Sequence, residues 1–296
     1  MYAPVGLLCL PAMWVALVVI GFTGVFWGSG VHPLTEALTI SGSSLLTLGF
    51  ERPAGTARVV VAFSEAGIGL ALVSLMISYL PTIYGAFSRR EALVGMLEVR
   101  AGLPPSPAAL LTRYARIGWL DQLHDDLFTR WEEWFTDVEE SHTSQPSLVF
   151  FRSPHSERSW ITAAGCVLDV AAITASTIDR PHDSRADIMM RTGWFCLNRT
   201  CNYFRLPYDS DPDADTPITV TRREYDLLCV ELRAICIPLK TDLDQAWRDY
   251  RGRRVNYDKA LVNLCSMVVA PPAKWSSERV RGPRQAPTVW RRRTLP

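Results

Sequence analysis

The sequence predicts an all-α membrane protein in which two transmembrane helices, joined by a re-entrant segment, precede an all-helical cytoplasmic domain. Two segments almost without charged residues, and the spacing of apolar residues after them, support this prediction. Residues 1–35 contain no Asp, Glu, Lys or Arg, and between residues 59 and 87 the only charged side chain is Glu65. From residue 88 onward charged residues are frequent, and apolar residues recur at the spacing of amphipathic helices in water-soluble proteins.

The overall composition excludes several classes of protein. Of the 296 residues, 48% are hydrophobic, and the formal net charge is +1. This hydrophobic fraction excludes a mostly disordered chain, and the near-neutral charge gives no indication of nucleic-acid binding. The sequence has no GxSxG, Walker or dinucleotide-binding pattern, and its histidines lack the paired spacing of a zinc site. We therefore expect no enzyme activity, no resident cofactor and no metal centre.

The first predicted span covers residues 4–27. Residues 5–27 form a run of 23 uncharged positions, which exceeds the roughly 20 residues that a helix needs to cross the bilayer core. A secretory signal would begin with positive charge, which this N-terminus lacks. The alternative for the same residues is a buried helix of a soluble domain. The span begins almost at Met1, which leaves open an upstream segment of a longer protein.

The second predicted span covers residues 58–87 and carries Glu65 and two glycines. A carboxylate that faces lipid is costly, so we expect Glu65 to face other protein or a water-filled cavity. Gly67 and Gly69 follow it closely and predict either close helix packing or a possible hinge.

The segment between the spans, residues 33–51, is too short to cross a membrane again. Pro33 suits the first turn of a helix, and residues 33–46 would form a helix of about 21 Å. Because the bilayer core is about 30 Å thick, such a helix would enter the bilayer but end before it reached the other side. The chain must then return as non-helical backbone, which is tolerated at membrane depth only where it is buried in protein or lines water. We therefore predict a re-entrant loop, with a hairpin that merely packs between the spans as the alternative.

These residues resemble the pore module of the potassium channel superfamily. In that module a span, a short helix, the signature Thr-x-x-Thr-Val/Ile-Gly-Tyr/Phe-Gly and a second span follow one another. The matching residues here are Ser44-Leu45-Leu46-Thr47-Leu48-Gly49-Phe50. Ser44 replaces the first threonine of the signature, and Glu51 stands in place of its second glycine. The resemblance covers residues 4–87, which is less than a third of the chain.

The resemblance implies a pore helix and a filter loop, and with them a passive, potassium-like cation channel. The permeating monovalent cation, expected to be K⁺, would exchange its hydration shell for backbone carbonyls. The residues that would supply these carbonyls are Thr47, Leu48, Gly49 and Phe50. Four copies would surround one pore, so the resemblance implies a homotetramer in the lipid bilayer.

Three further residues would support the filter or its mouth: Ser44, Glu51 and Glu65. A ring of Glu51 carboxylates would attract cations to the pore entrance. The alternative function is a non-conducting, membrane-anchored scaffold or sensor that acts through its helical cytoplasmic domain.

Charges and cysteines predict which side of the membrane holds the C-terminal domain. Arg89, Arg90 and Arg100 follow the second span, against Arg52 and Arg58 in the connecting loop. This small excess agrees with the positive-inside rule. The seven cysteines form no CxxC pair, which fits a reducing compartment better than a disulfide framework. We therefore expect a multi-pass protein of the cell inner (plasma) membrane with its C-terminal domain in the cytoplasm.

Residues 88–270 are predicted to form the helical cytoplasmic domain. The predicted helices are Ser88–Gly102, residues 120–140, Trp160–Ile178, Ser184–Phe204, Thr221–Cys236, Asp242–Arg251 and Asn256–Val269. Residues 160–178 are apolar enough for a further span, but Asp169 at their middle favours a buried core helix. The acidic side chains of residues 120–140 indicate a solvated face, or else a surface that concentrates cations near a pore exit.

Two other charged segments have simpler interpretations. Four aspartates alternate in residues 209–215, but the glycine and the final glutamate of a calcium loop are absent, so a solvated loop is predicted. Residues 271–296 hold seven basic side chains against one acidic one and are predicted to be disordered. Their expected partners are anionic lipid headgroups or the acidic helix face, with solubility alone as the alternative.

Overall fold

A computed structural model describes residues 2–280, and these residues form an all-helical protein. The α-helices are α1 (Tyr2–Gly28), α2 (Leu34–Leu45), α3 (Thr56–Ala101), α4 (Pro107–Arg116), α5 (Thr129–Ser144), α6 (Trp160–Ser176), α7 (Ser184–Tyr203), α8 (Arg222–Ala234) and α9 (Leu243–Val268). The only β contact in this part of the chain is a single bridge between Ile178 and Leu239. The predicted all-α class is therefore confirmed for residues 2–280.

The chain divides into two compact units, one that ends at Gly85 and one that begins at Ala86.

The predicted basic tail falls largely outside the described residues, because residues 281–296 hold five of its seven basic side chains. These five are Arg281, Arg284, Arg291, Arg292 and Arg293.

The first unit is built on α1 and α3, which are both long and apolar enough to cross a membrane. Both helices expose large apolar side chains, among them Leu17 and Ile20 of α1 and Phe63 and Ile77 of α3. A helix on the surface of a soluble protein instead buries one apolar stripe and presents polar residues to water. The two helices therefore have the length and the surface of candidate membrane spans.

The short helix α2 belongs to the same unit and packs along α1. Its 12 residues correspond to about 18 Å, too short to cross a bilayer. Ala37 and Ile40 of α2 are buried against Phe26 of α1 and Val31 of the connecting turn. Pro33 directly precedes the first helical residue, so the predicted helix at residues 33–46 is one residue too long at each end.

Helix α6 is the centre of the second unit, and all of its residues except Ala175 are buried. Helices α4, α7 and α9 pack against it. The prediction of a buried core helix for residues 160–178, rather than a third span, is confirmed. A capping box begins α8, since Glu224 N–H donates to Thr221 Oγ1 and Thr221 N–H donates to Glu224 Oε2.

The charge of Asp169 in this core is balanced by α9. Arg254, fully buried, donates to Asp169 Oδ1 and, from Nε, to Asp258 Oδ1 at 2.8 Å. The Tyr257 hydroxyl adds a 2.7 Å hydrogen bond to the same Asp169 oxygen. Removing one partner of such a buried ion pair destabilises a protein by roughly 3–5 kcal/mol. This network ties α6 to the middle of α9.

The same network explains why one prediction is wrong. The sequence predicts two helices, Asp242–Arg251 and Asn256–Val269, whereas the structure has one continuous helix α9 from Leu243 to Val268. The residues between the predicted helices include Arg254, whose side chain is held by acidic partners on both α6 and α9. These contacts stabilise a helical backbone at a point where the hydropathy pattern is interrupted.

The predicted helix at residues 120–140 is also wrong at its start. Leu120–Gln122 forms a 3₁₀ turn, Leu123–Phe128 forms a π-helical turn, and the regular α-helix α5 begins only at Thr129. Leu127 and Phe128 are adjacent in sequence, yet both are buried. A π turn rotates less per residue than an α turn, which keeps neighbouring side chains on the same side of the helix.

The acidic face of this region is partly neutralised by arginines. Asp137 pairs with Arg89 at 3.2 Å, and Asp126 pairs with Arg100 at 3.2 Å. Both arginines belong to α3. The pairing favours the solvated-face interpretation over a surface that concentrates cations, because a paired carboxylate attracts mobile cations less strongly.

Arg90 fixes the part of α3 that belongs to the second unit. Its guanidinium is fully buried and donates to the carbonyl oxygens of Leu148 at 2.8 Å and Phe151 at 2.5 Å. It also donates to Glu91 Oε1 at 2.9 Å, and its Nη1 lies 3.0 Å from His142 Nε2. Because arginine has no acceptor, His142 Nε2 must accept this hydrogen bond and be unprotonated.

Burial and the neighbouring Arg90 charge lower the pKa of His142 to about 3. In the unfolded chain the ordinary pKa of histidine is near 6.5. Between pH 3 and pH 6.5 the unfolded chain binds a proton at this histidine that the folded protein does not bind. The free energy of unfolding is therefore highest above pH 6.5 and decreases as the pH falls toward 3.

We predict that the His142→Gln variant, which cannot titrate but can still accept from Arg90, loses less stability in acid than the parent. Between pH 7.5 and pH 5.0 the parent should lose roughly 2 kcal/mol more of its free energy of unfolding than the variant does, from the lowered pKa of His142. The measurement is the free energy of unfolding of the full chain in detergent at both pH values. His182→Gln, at an exposed histidine, is the control and should follow the parent. Equal acid sensitivity of parent and His142→Gln would contradict the assignment.

Candidate functional site

Two contacts show how far α2 extends along the two long helices α1 and α3. The Arg58 guanidinium donates to the Ser29 carbonyl, which places the start of α3 beside the end of α1. The end of α2 lies farther along, because a β-carbon added at Gly69 would overlap the carbonyl oxygen of Leu45. Gly69 lies 13 residues after Thr56, which corresponds to about 20 Å along α3. Helix α2 thus ends well inside the length of the two long helices.

Ser41 joins α2 to both long helices. Its hydroxyl donates to Glu65 Oε1 of α3 at 2.5 Å and lies 3.1 Å from the Val19 carbonyl of α1. Glu65 is fully buried, and its other oxygen, Oε2, has no hydrogen-bond partner within residues 2–280. Glu65 therefore faces α2, as expected of a carboxylate on an apolar helix, and its role in supporting a filter stays a prediction.

Sequence reasoning missed Ser41. The residue lies in a serine-rich stretch, Ser41-Gly42-Ser43-Ser44, where no pattern distinguishes one hydroxyl from the next. The available signal was helical spacing, since Ser41 follows Ala37 by four residues on the buried face of α2.

After α2 the backbone leaves the helix in a tight turn. Thr47 N–H donates to the Ser44 carbonyl at 3.0 Å, and Leu48 N–H donates to the Ser43 carbonyl at 2.9 Å. Thr47 and Gly49 both have left-handed conformations, with φ of 55° and 73°. A positive φ is unusual for a β-branched residue, so the conformation of Thr47 costs about 1–3 kcal/mol. Backbone strain of this kind is concentrated at functional sites.

The backbone carbonyls that follow this turn accept no hydrogen bond. Among the described residues, no N–H or hydroxyl donates to the carbonyl oxygens of residues 47–54. The side chains of Leu48 and Phe50 are 59% and 64% exposed. The run of unpaired carbonyls begins with the predicted filter residues Thr47, Leu48, Gly49 and Phe50 and continues through the loop that leads to α3.

Glu51 follows directly, with an exposed side chain. Its N–H donates to Ser43 Oγ at 3.4 Å, and its carboxylate has no ion pair in the described part of the chain. The left-handed positions nearby are Thr47 and Gly49, not Glu51. The side chain of Glu51 therefore adds no backbone strain, although a glycine occupies this position in the signature that the segment resembles.

The remaining predicted residues differ in how closely they are packed. Ser44 is half-buried, and its carbonyl accepts from Thr47 N–H. A β-carbon at Gly67 would meet no atom within 4 Å, whereas one at Gly69 would overlap Leu45. The structure favours close packing over a hinge at Gly69.

Other residues singled out by the sequence form no site. Residues 2–280 contain no group of three His, Cys, Asp or Glu side chains that could hold a metal ion. In the aspartate-rich loop, Asp209 and Asp213 accept from backbone N–H groups two residues later, and Asp215 pairs with Arg251. Burial raises the pKa of the Cys201 thiol to about 12, which keeps it protonated and weakly nucleophilic.

No protein-family model, curated protein or solved structure matches this chain.

We predict that Gly69→Ala destabilises the first unit, because the added methyl group would displace the Leu45 carbonyl. Overpacking of this kind costs roughly 1–3 kcal/mol. Gly67→Ala is the matched control on the same helix. It should be neutral or stabilising by up to about 1 kcal/mol, from helix propensity alone. Thermal unfolding of the full chain in detergent measures both, and an equal effect of the two substitutions would show that Gly69 has no special contact.

Proposed function

We propose that this chain is the subunit of a homotetrameric, passive cation channel in a lipid bilayer. The filter would be the backbone carbonyls of residues 47–50, and the permeating ion would be monovalent, with K⁺ expected. The observation that carries the proposal is a run of backbone carbonyls without hydrogen-bond partners that begins at Thr47, two residues after a helix that ends about 20 Å along α3.

The argument rests on what a bilayer requires of a peptide backbone. If α1 and α3 cross a membrane, residues 46–51 lie at a depth where water does not satisfy exposed carbonyls. Unsatisfied backbone groups there cost several kcal/mol each, so such a segment must be buried in protein or line a polar cavity. Carbonyls that face a pore are satisfied by cations and water, which is how carbonyl-lined filters select ions.

Helix α2 supports the same assignment through its dipole. The C-terminal end of a helix carries about half a negative charge, and α2 ends at Leu45, two residues before the first proposed filter residue. This end favours a cation in its vicinity. The fully buried contact from Ser41 to Glu65 holds α2 in place against α3.

Exposed apolar side chains support an assembly of several copies. In a single chain Leu46, Leu48 and Phe50 are 57%, 59% and 64% exposed. Apolar side chains beside unpaired carbonyls need a covering surface. Identical copies arranged around a central axis would cover the side chains while leaving the carbonyls to the pore. The exposed Glu51 carboxylates would then form a ring at the mouth.

In this proposal the first unit lies in the inner membrane of the cell, and the second unit lies in the cytoplasm. All seven cysteines are free thiols, and five of them are buried. This agrees with the reducing compartment that their scattered positions predict.

The alternative is a membrane-anchored scaffold or sensor that does not conduct. The observation that favours it is the size of the second unit, which has its own large core from Val94 to Trp275. In this alternative the first unit is a tether, and the carbonyls of residues 47–50 have no ion to bind.

We predict that Gly49→Asp abolishes cation flux without disrupting assembly. A side chain at φ 73° costs about 1–2 kcal/mol, and the new carboxylate would lie among the carbonyls that coordinate the ion. The measurement is thallium flux into liposomes that contain the full chain. Gly55→Asp, with φ 95° and open space around it, is the matched control outside the filter and should conduct like the parent. A Gly49→Asp channel with parental flux would exclude residues 47–50 as the filter.

We also predict a tetramer in mild detergent. The protein mass, corrected for bound detergent, should be four times 33.2 kDa, or about 133 kDa. Light scattering coupled to size-exclusion chromatography measures it. A stable monomer at the same detergent concentration would favour the tether, since a single chain cannot enclose a pore with these carbonyls.

A further inference from the structure

The second unit has a cavity of about 260 Å³ at the N-terminus of α6, lined by both apolar and polar residues. The loop that leads into α6 forms one wall, and the end of α9 forms another. Six polar side chains contribute to the lining: Arg152, Ser153, His155, Ser156, Arg158 and Ser159. None of the lining residues is acidic.

The N-terminus of α6 borders this cavity through Ser159 and Trp160. Ser159 is its N-cap residue, but the Ser159 side chain makes no capping hydrogen bond. Among the described residues, the backbone N–H groups of residues 160–162 donate to no acceptor. The first N–H groups of a helix, together with its dipole, attract anions when no side chain caps them.

Ser153 gives an independent indication of a ligand. Its side chain is nine-tenths buried, lines the cavity, and its Oγ has no hydrogen-bond partner within residues 2–280. Buried hydroxyls in proteins are almost always hydrogen-bonded. An unpaired hydroxyl in the wall of a cavity lacks the partner that a bound ligand would supply.

Arg152 gives the cavity a positive charge, and Arg158 adds a further guanidinium to its wall. Arg152 Nη2 donates to the Val268 and Val269 carbonyls at 3.3 and 3.4 Å, which leaves its Nε and Nη1 without partners in the described chain. Arg158 Nη2 bonds to Glu98, while its Nε is buried and unpaired. Because Glu98 already pairs with Arg158, it does not offer the cavity a free negative charge.

We infer that this cavity binds a phosphate-type anion. Guanidinium N–H groups, serine hydroxyls and the open start of a helix are the donors that phosphate oxygens prefer. A cation would find no free carboxylate, and an apolar ligand would leave these donors unsatisfied. The phosphate could belong to free inorganic phosphate or to a lipid headgroup, since the donors recognise the same oxygens in both. This site does not depend on ion conduction by the first unit.

The test is thermal unfolding of the full chain in detergent with increasing inorganic phosphate, and with chloride at matched ionic strength. A ligand that binds the folded state raises the unfolding midpoint with concentration. We expect saturable stabilisation by phosphate and none by chloride. Arg152→Gln and Ser153→Ala should each weaken the apparent affinity at least fivefold, while Arg116→Gln, an exposed arginine outside the cavity, should not.

Ser153→Ala also separates ligand loss from misfolding. Without phosphate this variant should be as stable as the parent or more so, because it removes an unpaired buried hydroxyl. A second titration uses dihexanoyl phosphatidic acid, with dihexanoyl phosphatidylcholine as control. Stabilisation by phosphatidic acid alone identifies a lipid headgroup as the source, and stabilisation by both probes identifies the phosphate group itself. No saturable effect of either probe, or equal losses in Arg152→Gln and Arg116→Gln, would overturn the inference.

Discussion

The first unit depends on the contact that Ser41 makes between α1 and α3. A single hydroxyl bonds the Glu65 carboxylate and lies beside the Val19 carbonyl, so it fixes how far α2 enters between two long apolar helices. Gly69 sets the same depth from the other side, because only a residue without a β-carbon lets α3 approach the Leu45 carbonyl. The position of the residues that follow α2, and of their unpaired carbonyls, results from these two contacts.

The second unit is stabilised by buried arginines rather than by apolar packing alone. Arg90 bonds the carbonyls that end the Pro146–Phe150 turn, and Arg254 joins Asp169 to Asp258 across the core. Guanidinium groups suit this role because they offer five donors in a fixed plane and stay charged when buried. Arg90 is on α3, the helix that begins in the first unit as a candidate span. The same side chain therefore ties the part of α3 after Gly85 to the core of the second unit.

The sequence predicted the apolar helices and the short helix between them because length and charge alone decide those elements. It also predicted α6 as a core helix, since one central carboxylate is enough to disfavour a membrane. It did not predict Ser41, whose role depends on three helices that meet at one hydroxyl. The choice between hinge and packing at Gly67 and Gly69 likewise needed the position of the Leu45 carbonyl. The break within α9 was predicted wrongly because Asp169, the partner that holds Arg254 in the core, is distant in sequence.

Both candidate binding regions use helix ends that the protein leaves without partners, and the ends have opposite sign. The C-terminal end of α2 is followed by a run of free carbonyls that includes those of residues 47–50, and such carbonyls attract cations. The N-terminal end of α6 has free N–H groups beside two arginines, which attract anions. Three other helices do have a side-chain cap, at Asp183 of α7, Thr221 of α8 and Asp242 of α9. An unpaired polar group that becomes buried costs stability that a bound ion of the right charge would restore, so a cation at the end of α2 and an anion at the start of α6 would each stabilise the folded protein.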